Sequence, residues 1–210
     1  MFYRTEEHHG LRHNPFNAIV VPRPIGWISS LNSEGEVNLA PYSFFNAVAY
    51  TPPQVMFSAT GSHQHGGLKD SPANIAATGE FVVNLATWAL REKVNASSIP
   101  APHGTDEFAL AGLTKSESEL VGPPRVAESP VHLECVHTQT VELLTADPAH
   151  PNLLVLGRVV GIHIEESVIV DGIVDIGKLQ PIGRLGYRDY VHVSESFAMT
   201  RPTWPEDAPA

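Results

Sequence analysis

The chain has 210 residues, 42% of them hydrophobic and 17% charged, which is the composition of a folded protein with one substantial core. A formal net charge of -10 repels phosphate backbones, so we expect no nucleic-acid partner. The single cysteine, Cys135, excludes an intramolecular disulfide and a cysteine-based zinc site. No apolar run approaches the roughly 20 residues of a membrane helix, and residues 1–10 lack the apolar core of a signal peptide. We therefore expect a cytoplasmic protein with no membrane partner.

Short apolar runs separated by Gly, Pro and Asn predict a mainly β fold rather than the βαβ alternation of a parallel sheet. No linker divides the chain, so we expect a single domain over residues 1–210. Its core should cover about 14–193, with an N-terminal arm and a Pro-rich C-terminal tail that begins at Ser194. The predicted strands cover residues 25–31, 37–40, 54–59, 81–85, 131–141, 153–164, 168–170 and 190–193.

Only a few helices are predicted, and one of them has clear end signals. Ser71 suits the N-cap, Pro72 suits the first helical position, and Gly79 suits the residue after the last turn. A weaker helix is predicted over residues 90–97. Residues 98–130 are rich in Pro, Gly and charge, and we predict that they form a long excursion over the surface of the barrel.

Motifs of several common sites are absent. No Gly-x-Gly-x-x-Gly follows a strand, which argues against a Rossmann dinucleotide site. His63 and His65 offer two imidazoles, but no acidic ligand stands about four residues later, so we predict no metal site. The small-residue spacing of Gly157 and Gly161 lies in a predicted strand and indicates packing.

Two segments carry groups that suit ligand chemistry. Residues 38–46 join a strand to a proline-fixed bend and then present hydroxyl, amide and aromatic side chains. Lys69, Asp70 and Ser71 open the predicted helix, where free N–H groups and the Lys69 cation could hold a phosphate. Helix capping is the more common role of such residues, and the residues alone leave both interpretations open.

The order of these segments along the chain is more specific than any one of them. The series resembles the flavin reductase-like family of FMN-binding split barrels, including its flavoredoxin-type branch. The resemblance covers nearly the whole chain except its ends. It rests on residues 22–30 (PRPIGWISS), 38–46 (NLAPYSFFN), 52–53 (PP), 69–71 (KDS), 79–85 (GEFVVNL), 106–108 (DEF), 128–130 (ESP), 134–135 (EC), 183–186 (GRLG) and Tyr190.

The resemblance implies a Greek-key split barrel with a few peripheral helices, a homodimer, and FMN held near the dimer interface. By position, it also implies a set of cofactor-binding residues. These are Trp27, Ile28 and Ser29 on one strand; Ala40, Pro41, Tyr42, Ser43 and Asn46 around the following bend; Ser58 at the end of the next strand; Lys69 and Ser71 at the phosphate; and Arg184, Gly186 and Tyr187 near the flavin or the dimer seam.

The implied activity is reduction of FMN by NADH or NADPH, which supplies reduced flavin to a partner such as a flavin-dependent monooxygenase. Two departures from the family pattern put the nicotinamide step in doubt. Many two-component reductases carry Gly-Asp-His, whereas the comparable region here has Ile162 before His163, and Tyr187 replaces a second glycine. His163 is a candidate for a proton or nicotinamide contact. Two alternatives stay open: a reductase that retains FMN and reduces a small organic substrate such as a nitroaromatic compound, and a non-enzymatic FMN electron carrier.

Overall fold

The computed structural model describes residues 1–204; the predicted tail prolines Pro205 and Pro209 lie outside the described residues. The chain forms strands, short helices and one 3₁₀ turn (Glu166–Val168). The helices are α1 (Phe16–Ile19), α2 (Asp70–Thr78), α3 (Arg91–Ala96), α4 (Glu107–Ala111) and α5 (Ile176–Leu179). The strands are β1 (Arg23–Pro24), β2 (Gly26–Leu31), β3 (Val37–Tyr42), β4 (Phe45–Tyr50), β5 (Pro53–Thr60), β6 (Glu80–Leu85), β7 (Lys115–Ser116), β8 (Arg125–Val126), β9 (Val131–Leu143), β10 (Asn152–Ile164), β11 (Ile169–Val170), β12 (Ile173–Val174), β13 (Ile182–Arg184) and β14 (Tyr190–His192).

Seven strands form one antiparallel sheet in the order β3-β2-β6-β9-β10-β5-β4. Strands β6, β9 and β10 are neighbours, and β5, which precedes them in the chain, lies beside β10. This arrangement is a Greek key and confirms the predicted architecture. Smaller sheets add β1-β13-β14, β7-β8 and β11-β12.

The two edge strands of the large sheet are adjacent in the chain. β3 ends at Tyr42 and β4 begins at Phe45, so only Ser43 and Phe44 separate opposite edges. Neighbouring strands in a sheet lie about 4.8 Å apart, so a flat sheet of this order would place the two edges several strand spacings from each other. The sheet must therefore curl into a barrel whose edges meet at this corner without pairing. The Ser58 N–H donates to the Phe44 carbonyl at 2.7 Å and ties the corner to β5.

Apolar side chains fill two layers, one on each face of β2. The first layer contains Ile28, Phe57, Phe81, Cys135 and Val155, which are nearly inaccessible to solvent. The side chain of Cys135 is thus a buried thiol. Gly157 lies against the Phe81 ring, where a Cβ would clash, so packing accounts for this glycine as predicted.

Residues 90–126 cover the other face of β2. Leu90, Val94, Phe108 and Val126 pack with Trp27 in the second layer. The predicted excursion therefore also supplies core residues, and it contains α4, β7 and β8. Within residues 1–204, none of the helices is long and apolar enough to cross a membrane.

The start of α2 differs from the sequence prediction. Lys69 occupies the N-cap position without a side-chain cap, and Ser71 lies inside the first turn. Ser71 is buried and its hydroxyl accepts a bond from Asn38 Nδ2 at 2.9 Å, so it cannot cap the helix. Gly79 ends the helix with φ of 77°, a left-handed conformation that glycine adopts without strain.

Candidate functional site

The corner between β3 and β4 lies between two cavities. Ala40, Pro41 and Tyr42 line one of them, and Ser43, Phe44, Phe45 and Asn46 line the other. One short segment of chain, residues 40–46, therefore faces both. An elongated ligand could contact both cavities along this segment.

The first cavity, called here the polar cavity, has a volume of about 290 Å³. Its charged or titratable lining groups are His63, Lys69, Asp70, Glu107 and Tyr42. Its other lining residues are Asn38, Ala40, Pro41, Ser62, Gln64 and residues 97–101. Donors and acceptors of this density suit a strongly polar group such as a phosphate.

The second cavity, called here the apolar cavity, has a volume of about 740 Å³. Aromatic and aliphatic side chains form most of its wall, and Ser43, Asn46 and Ser58 supply polar groups. The lining residues are Phe16, Ile19, Val20, Val21, Pro22, Arg23, Pro24, Ser43, Phe44, Phe45, Asn46, Met56, Ser58, Thr60, Leu143, Leu144, Asn152 and Leu154. Mostly apolar walls with a few placed polar groups are typical of sites for cofactors and small organic ligands.

Lys69 is the cation of the polar cavity. It is half-buried, and desolvation lowers the pKa of its ammonium group. Its backbone precedes the first turn of α2, where N–H groups without helical partners add partial positive charge. The local field at this point therefore opposes the net charge of -10.

Two buried titratable side chains, Tyr42 and Glu107, line the polar cavity. Burial raises the pKa of Tyr42 to about 12, and a hydrogen bond with Ser71 partly offsets this effect. Tyr42 is therefore a neutral phenol at neutral pH. Burial likewise raises the pKa of Glu107, although Glu107 Oε2 accepts the Leu39 N–H at 2.9 Å.

Seven predicted cofactor residues line these two cavities, and Ser71 lies just behind the polar one. Ala40, Pro41, Tyr42 and Lys69 line the polar cavity, whereas Ser43, Asn46 and Ser58 line the apolar cavity. The Ser71 hydroxyl accepts from Asn38 Nδ2, a bond that does not use its own proton, but the side chain is buried.

Trp27, Ile28 and Ser29 line neither cavity, and each side chain is fully buried in the fold. Trp27 Nε1 donates to Ser97 Oγ at 2.9 Å, and the Ser29 hydroxyl donates to the Pro124 carbonyl at 2.6 Å. Ile28 packs in the apolar layer beside Phe57. These side chains are engaged within the fold, so only the backbone of β2 is left to contact a ligand.

Arg184, Gly186 and Tyr187 line neither cavity. Arg184 Nη1 donates to the Tyr190 hydroxyl at 2.6 Å, and its guanidinium lies over the Tyr190 ring. Gly186 lies so close to Ala18 in α1 that a Cβ would overlap it. Tyr187 is half-exposed, so it is available to a dimer seam but not to the described cavities.

His163 is also held away from both cavities. Its Nε2 lies 2.5 Å from Oε1 of Glu134, a carboxylate with no solvent exposure. Glu134 also accepts the backbone N–H groups of Glu119 and Leu120. These contacts anchor the excursion to β9 and β10, so they indicate a structural role for His163.

Among the cavity-lining residues that the sequence did not assign to the cofactor are Arg23, His63 and Glu107. Arg23 lines the apolar cavity and donates to the carbonyls of Asn17, Val20 and Leu185. His63 and Glu107 line the polar cavity. Arg23 and Glu107 both stand in segments that carry the family resemblance, and this was the signal that could have found them.

A family model for the flavin reductase-like domain matches residues 18–177. The chain belongs to the flavin reductase-like domain family. The match includes all seven strands of the large sheet and, apart from Phe16, every residue that lines the two cavities, so the resemblance inferred from the motifs is confirmed.

Similar proteins extend this result. The chain is 37% identical to an uncharacterized protein of Halalkalibacterium halodurans over 186 residues, which are 88% of either chain. Nitrilotriacetate monooxygenase component B of Bacillus cereus has 31% identity and a TM-score of 0.86, covering 95% of this chain and 98% of that one. The 2-nitrobenzoate 2-nitroreductase NbaA of Pseudomonas fluorescens has 28% identity and a TM-score of 0.77, covering 91% of both. A flavoredoxin of Desulfovibrio vulgaris, at 21% identity, shares the fold.

Membership of this family implies that the chain binds a flavin. The donors available around residues 40–46 fit that ligand. The polar cavity provides a cation and a helix N-terminus for an anionic end, and the apolar cavity provides Phe44 and Phe45 for a flat ring. The order of these groups along the chain matches a ligand that is anionic at one end and aromatic at the other.

Proposed function

We propose that this protein binds FMN across the β3–β4 corner and works as an NAD(P)H-dependent flavin reductase. The observation that carries the proposal is that residues 40–46 line a polar cavity with Lys69 and an apolar cavity with Phe44 and Phe45. FMN has a phosphate at one end and a fused aromatic ring at the other. The pair of cavities complements both ends.

The phosphate would be held at the polar cavity. Lys69 supplies a full positive charge there, and the first N–H groups of α2 supply directed donors. Ser71 lies in the same turn, and its hydroxyl could donate to the phosphate while it accepts from Asn38. Asp70 opposes an anion by charge, but its carboxylate is already paired with His103 at 2.5 Å.

The ring would lie along the apolar cavity, where Ser43, Asn46 and Ser58 offer polar contacts to its edge. The cofactor supplies the redox chemistry, because a flavin exchanges two electrons with a nicotinamide. The residues around it bind, orient and exclude water. A hydride transfer between stacked rings requires alignment at near-attack distance rather than a protein acid or base.

A second function is favoured by the size of the apolar cavity. About 740 Å³ leaves room for a small aromatic compound beside a ring, and the similar NbaA structure is that of a 2-nitrobenzoate 2-nitroreductase. The chain would then retain FMN and reduce an organic substrate such as a nitroaromatic compound. A non-enzymatic electron carrier is the third hypothesis, and it requires tight FMN with negligible oxidation of NAD(P)H.

We further propose a homodimer and, for the reductase, a flavin-dependent monooxygenase as the recipient of reduced FMN. The similarity to component B of a monooxygenase supports such a partner. The exposed apolar side chains that border the apolar cavity, among them Ile19 and Leu144, support a second copy as its cover.

The deciding experiment is stopped-flow bleaching of FMN-loaded protein by NADH and by NADPH without air, followed by filtration to count retained flavin. Fast bleaching with loss of flavin on reduction supports the reductase that serves a partner. Fast bleaching with retained flavin, followed by reoxidation with a nitroaromatic compound, supports the second function. Bound FMN that neither nucleotide bleaches leaves the electron carrier, and failure to bind FMN refutes the proposal.

A further inference from the structure

Three metal-ligating side chains meet at the rim of the polar cavity. The ligand atoms of His63, Asp70 and His103 all lie within 4.8 Å of one another. Asp70 Oδ1 is 2.5 Å from His103 Nδ1, and Asp70 Oδ2 is 3.7 Å from His63 Nε2. The rings of His63 and His103 face each other with centroids 4.0 Å apart. The acidic ligand that the sequence did not supply near His63 and His65 is therefore Asp70.

The backbone around these side chains fixes their positions. The His63 N–H donates to the Gly67 carbonyl at 2.9 Å, and the Gly66 N–H donates to the His63 carbonyl at 3.0 Å, which closes the loop. Gly66 and Gly67 both have positive φ, as this tight closure requires. Asp70 is the first residue of α2.

His103 has the outer contact that metal-bound histidines commonly show. Its Nε2 lies 2.9 Å from the Gly66 carbonyl, so the ring is oriented by a backbone oxygen while Nδ1 faces Asp70. In metal sites, such a contact fixes the tautomer that leaves the other nitrogen free to bind. Gly66 thus links the loop that carries His63 to the ring of His103.

We propose that His63, Asp70 and His103 form a binding site for a divalent transition ion of the zinc class. Two imidazole nitrogens and one carboxylate oxygen are ligands that Zn²⁺ accepts, with bond lengths of about 2.0–2.2 Å. Ligand atoms that all lie within 4.8 Å of one another can converge on one ion.

Coordination needs the lone pair of one nitrogen on each ring. A proton that His103 Nδ1 shares with Asp70 passes to solvent when the ion replaces that contact. His63 Nδ1 now accepts the His65 N–H at 3.1 Å, so coordination through Nε2 moves the ring proton to Nδ1 and ends that bond. The hydrogen bond that is lost, from the His65 backbone N–H to His63 Nδ1, is exposed to solvent.

Three protein ligands leave a fourth position on a tetrahedral ion. His63 and Asp70 line the polar cavity, as does Lys69, so this position opens where an anionic ligand would enter. The metal proposal stands on its own residues and does not require that FMN binds.

The test is calorimetric titration of the full chain with ZnCl₂, before and after loading with FMN, following removal of metals by a chelator. The expected result is one ion for each chain. His63→Asn, Asp70→Asn and His103→Asn should each weaken binding by more than the roughly 10–100-fold that loss of an outer-shell partner causes. Absorption of the Co²⁺ form should show the intense visible bands of a low-coordinate site.

Two controls separate this site from other histidines. His8 and His9 stack in the N-terminal arm, so the titrations should use a background in which both are Asn. His150 pairs with Asp147 at 2.9 Å, and that pair belongs to no cluster of three ligands among the described residues. His150→Asn should therefore leave binding unchanged. Absent Zn²⁺ binding, or binding that survives all three ligand substitutions in folded variants, would overturn the proposal while leaving the flavin experiment unaffected.

Discussion

Glu107 Oε2 accepts the Leu39 N–H at 2.9 Å, so a buried carboxylate from the excursion satisfies one backbone N–H on the free edge of β3. β3 is an edge strand, and its outward N–H groups have no neighbouring strand. Glu107 thus joins α4 to the strand that carries Ala40, Pro41 and Tyr42. The stability of the corner should depend on this contact.

The contact predicts a change in the pH dependence of stability when Glu107 becomes Gln. Burial raises the pKa of Glu107 above 4.5, its ordinary value in the unfolded chain. At a pH between this value and the raised pKa, the folded protein therefore binds more protons than the unfolded chain. This carboxyl therefore reduces the free energy of unfolding as pH rises through its raised pKa. Gln keeps an acceptor for Leu39 but does not ionise, so the difference between Glu107→Gln and wild type should grow with pH. Urea unfolding at pH 5 and pH 8 measures it.

Glu107→Ala is the matched comparison. It leaves the Leu39 N–H without an acceptor, which should cost about 1–3 kcal/mol of unfolding free energy. Equal stability of the Ala and Gln variants at both pH values would show that the hydrogen bond contributes little.

Gly157→Ala should destabilise the barrel. A Cβ at residue 157 would overlap the Phe81 ring, which has no solvent exposure and cannot move outward. Overpacking of this kind costs about 1–3 kcal/mol. Gly122→Ala is a suitable control, since its Cβ would make ordinary contacts of 3.4 Å with Glu80 and 3.6 Å with Leu31. Thermal melts of both variants measure this difference in stability. Equal midpoints for Gly157→Ala and Gly122→Ala would contradict the prediction.

Long apolar strands could be predicted from the sequence because their pattern is local. β9 and β10 begin within one residue of the predicted starts at 131 and 153. β4 could not be predicted, since an edge strand with mostly exposed side chains lacks the alternation that reveals a buried strand. Its existence depends on pairing with β5, which is a tertiary contact.

The residues of the candidate site also divide into those that the sequence could predict and those that depend on tertiary contacts. Motif order identified residues 40–46 and Lys69, which line the cavities. It also selected Trp27, Ile28 and Ser29, because a strand motif does not tell that both faces of β2 are covered, one by residues 90–126 and the other by the layer that contains Phe57. The contact of Asp70 with His103 spans 33 residues, so no spacing rule could reveal it.

Lys69→Met should weaken FMN binding but leave riboflavin binding unchanged, since riboflavin lacks the phosphate. Loss of one charge-assisted bond costs about 1.5–3 kcal/mol, or roughly 10–100-fold in Kd. Quenching of flavin fluorescence measures both ligands. Lys178→Met, an exposed lysine outside both cavities, controls for the change in net charge. Equal weakening of FMN and riboflavin would mean that Lys69 does not contact the phosphate.

His163→Gln should lower stability and leave bleaching by NADH and NADPH unchanged. Desolvation by burial acts to raise the pKa of Glu134. Hydrogen bonds from Glu119, His163 and Leu120 outweigh this effect, so the pKa is lowered. A lowered pKa stabilises the fold above pH 4.5, and this stability is lost as pH falls through the pKa of the folded state. Removing His163 should cost about 1.5–3 kcal/mol near pH 7. Slow bleaching in a variant of unchanged stability would instead restore the nicotinamide role.

The exposed rim of the apolar cavity predicts that a charge there separates the proposed dimer. Leu144 is 98% exposed and Ile19 is 70% exposed, although both line the cavity. A stable pair of copies should bury at least about 1,200 Å² in total, and a lysine at its apolar centre would leave an unpaired charge. Light scattering after size exclusion should give two copies for wild type and one for Ile19→Lys or Leu144→Lys. Ile173→Lys provides the control, because Ile173 is 71% exposed and lies outside the cavity. A wild-type mass of one chain would refute the dimer, and dissociation by Ile173→Lys alone would move its interface to β12.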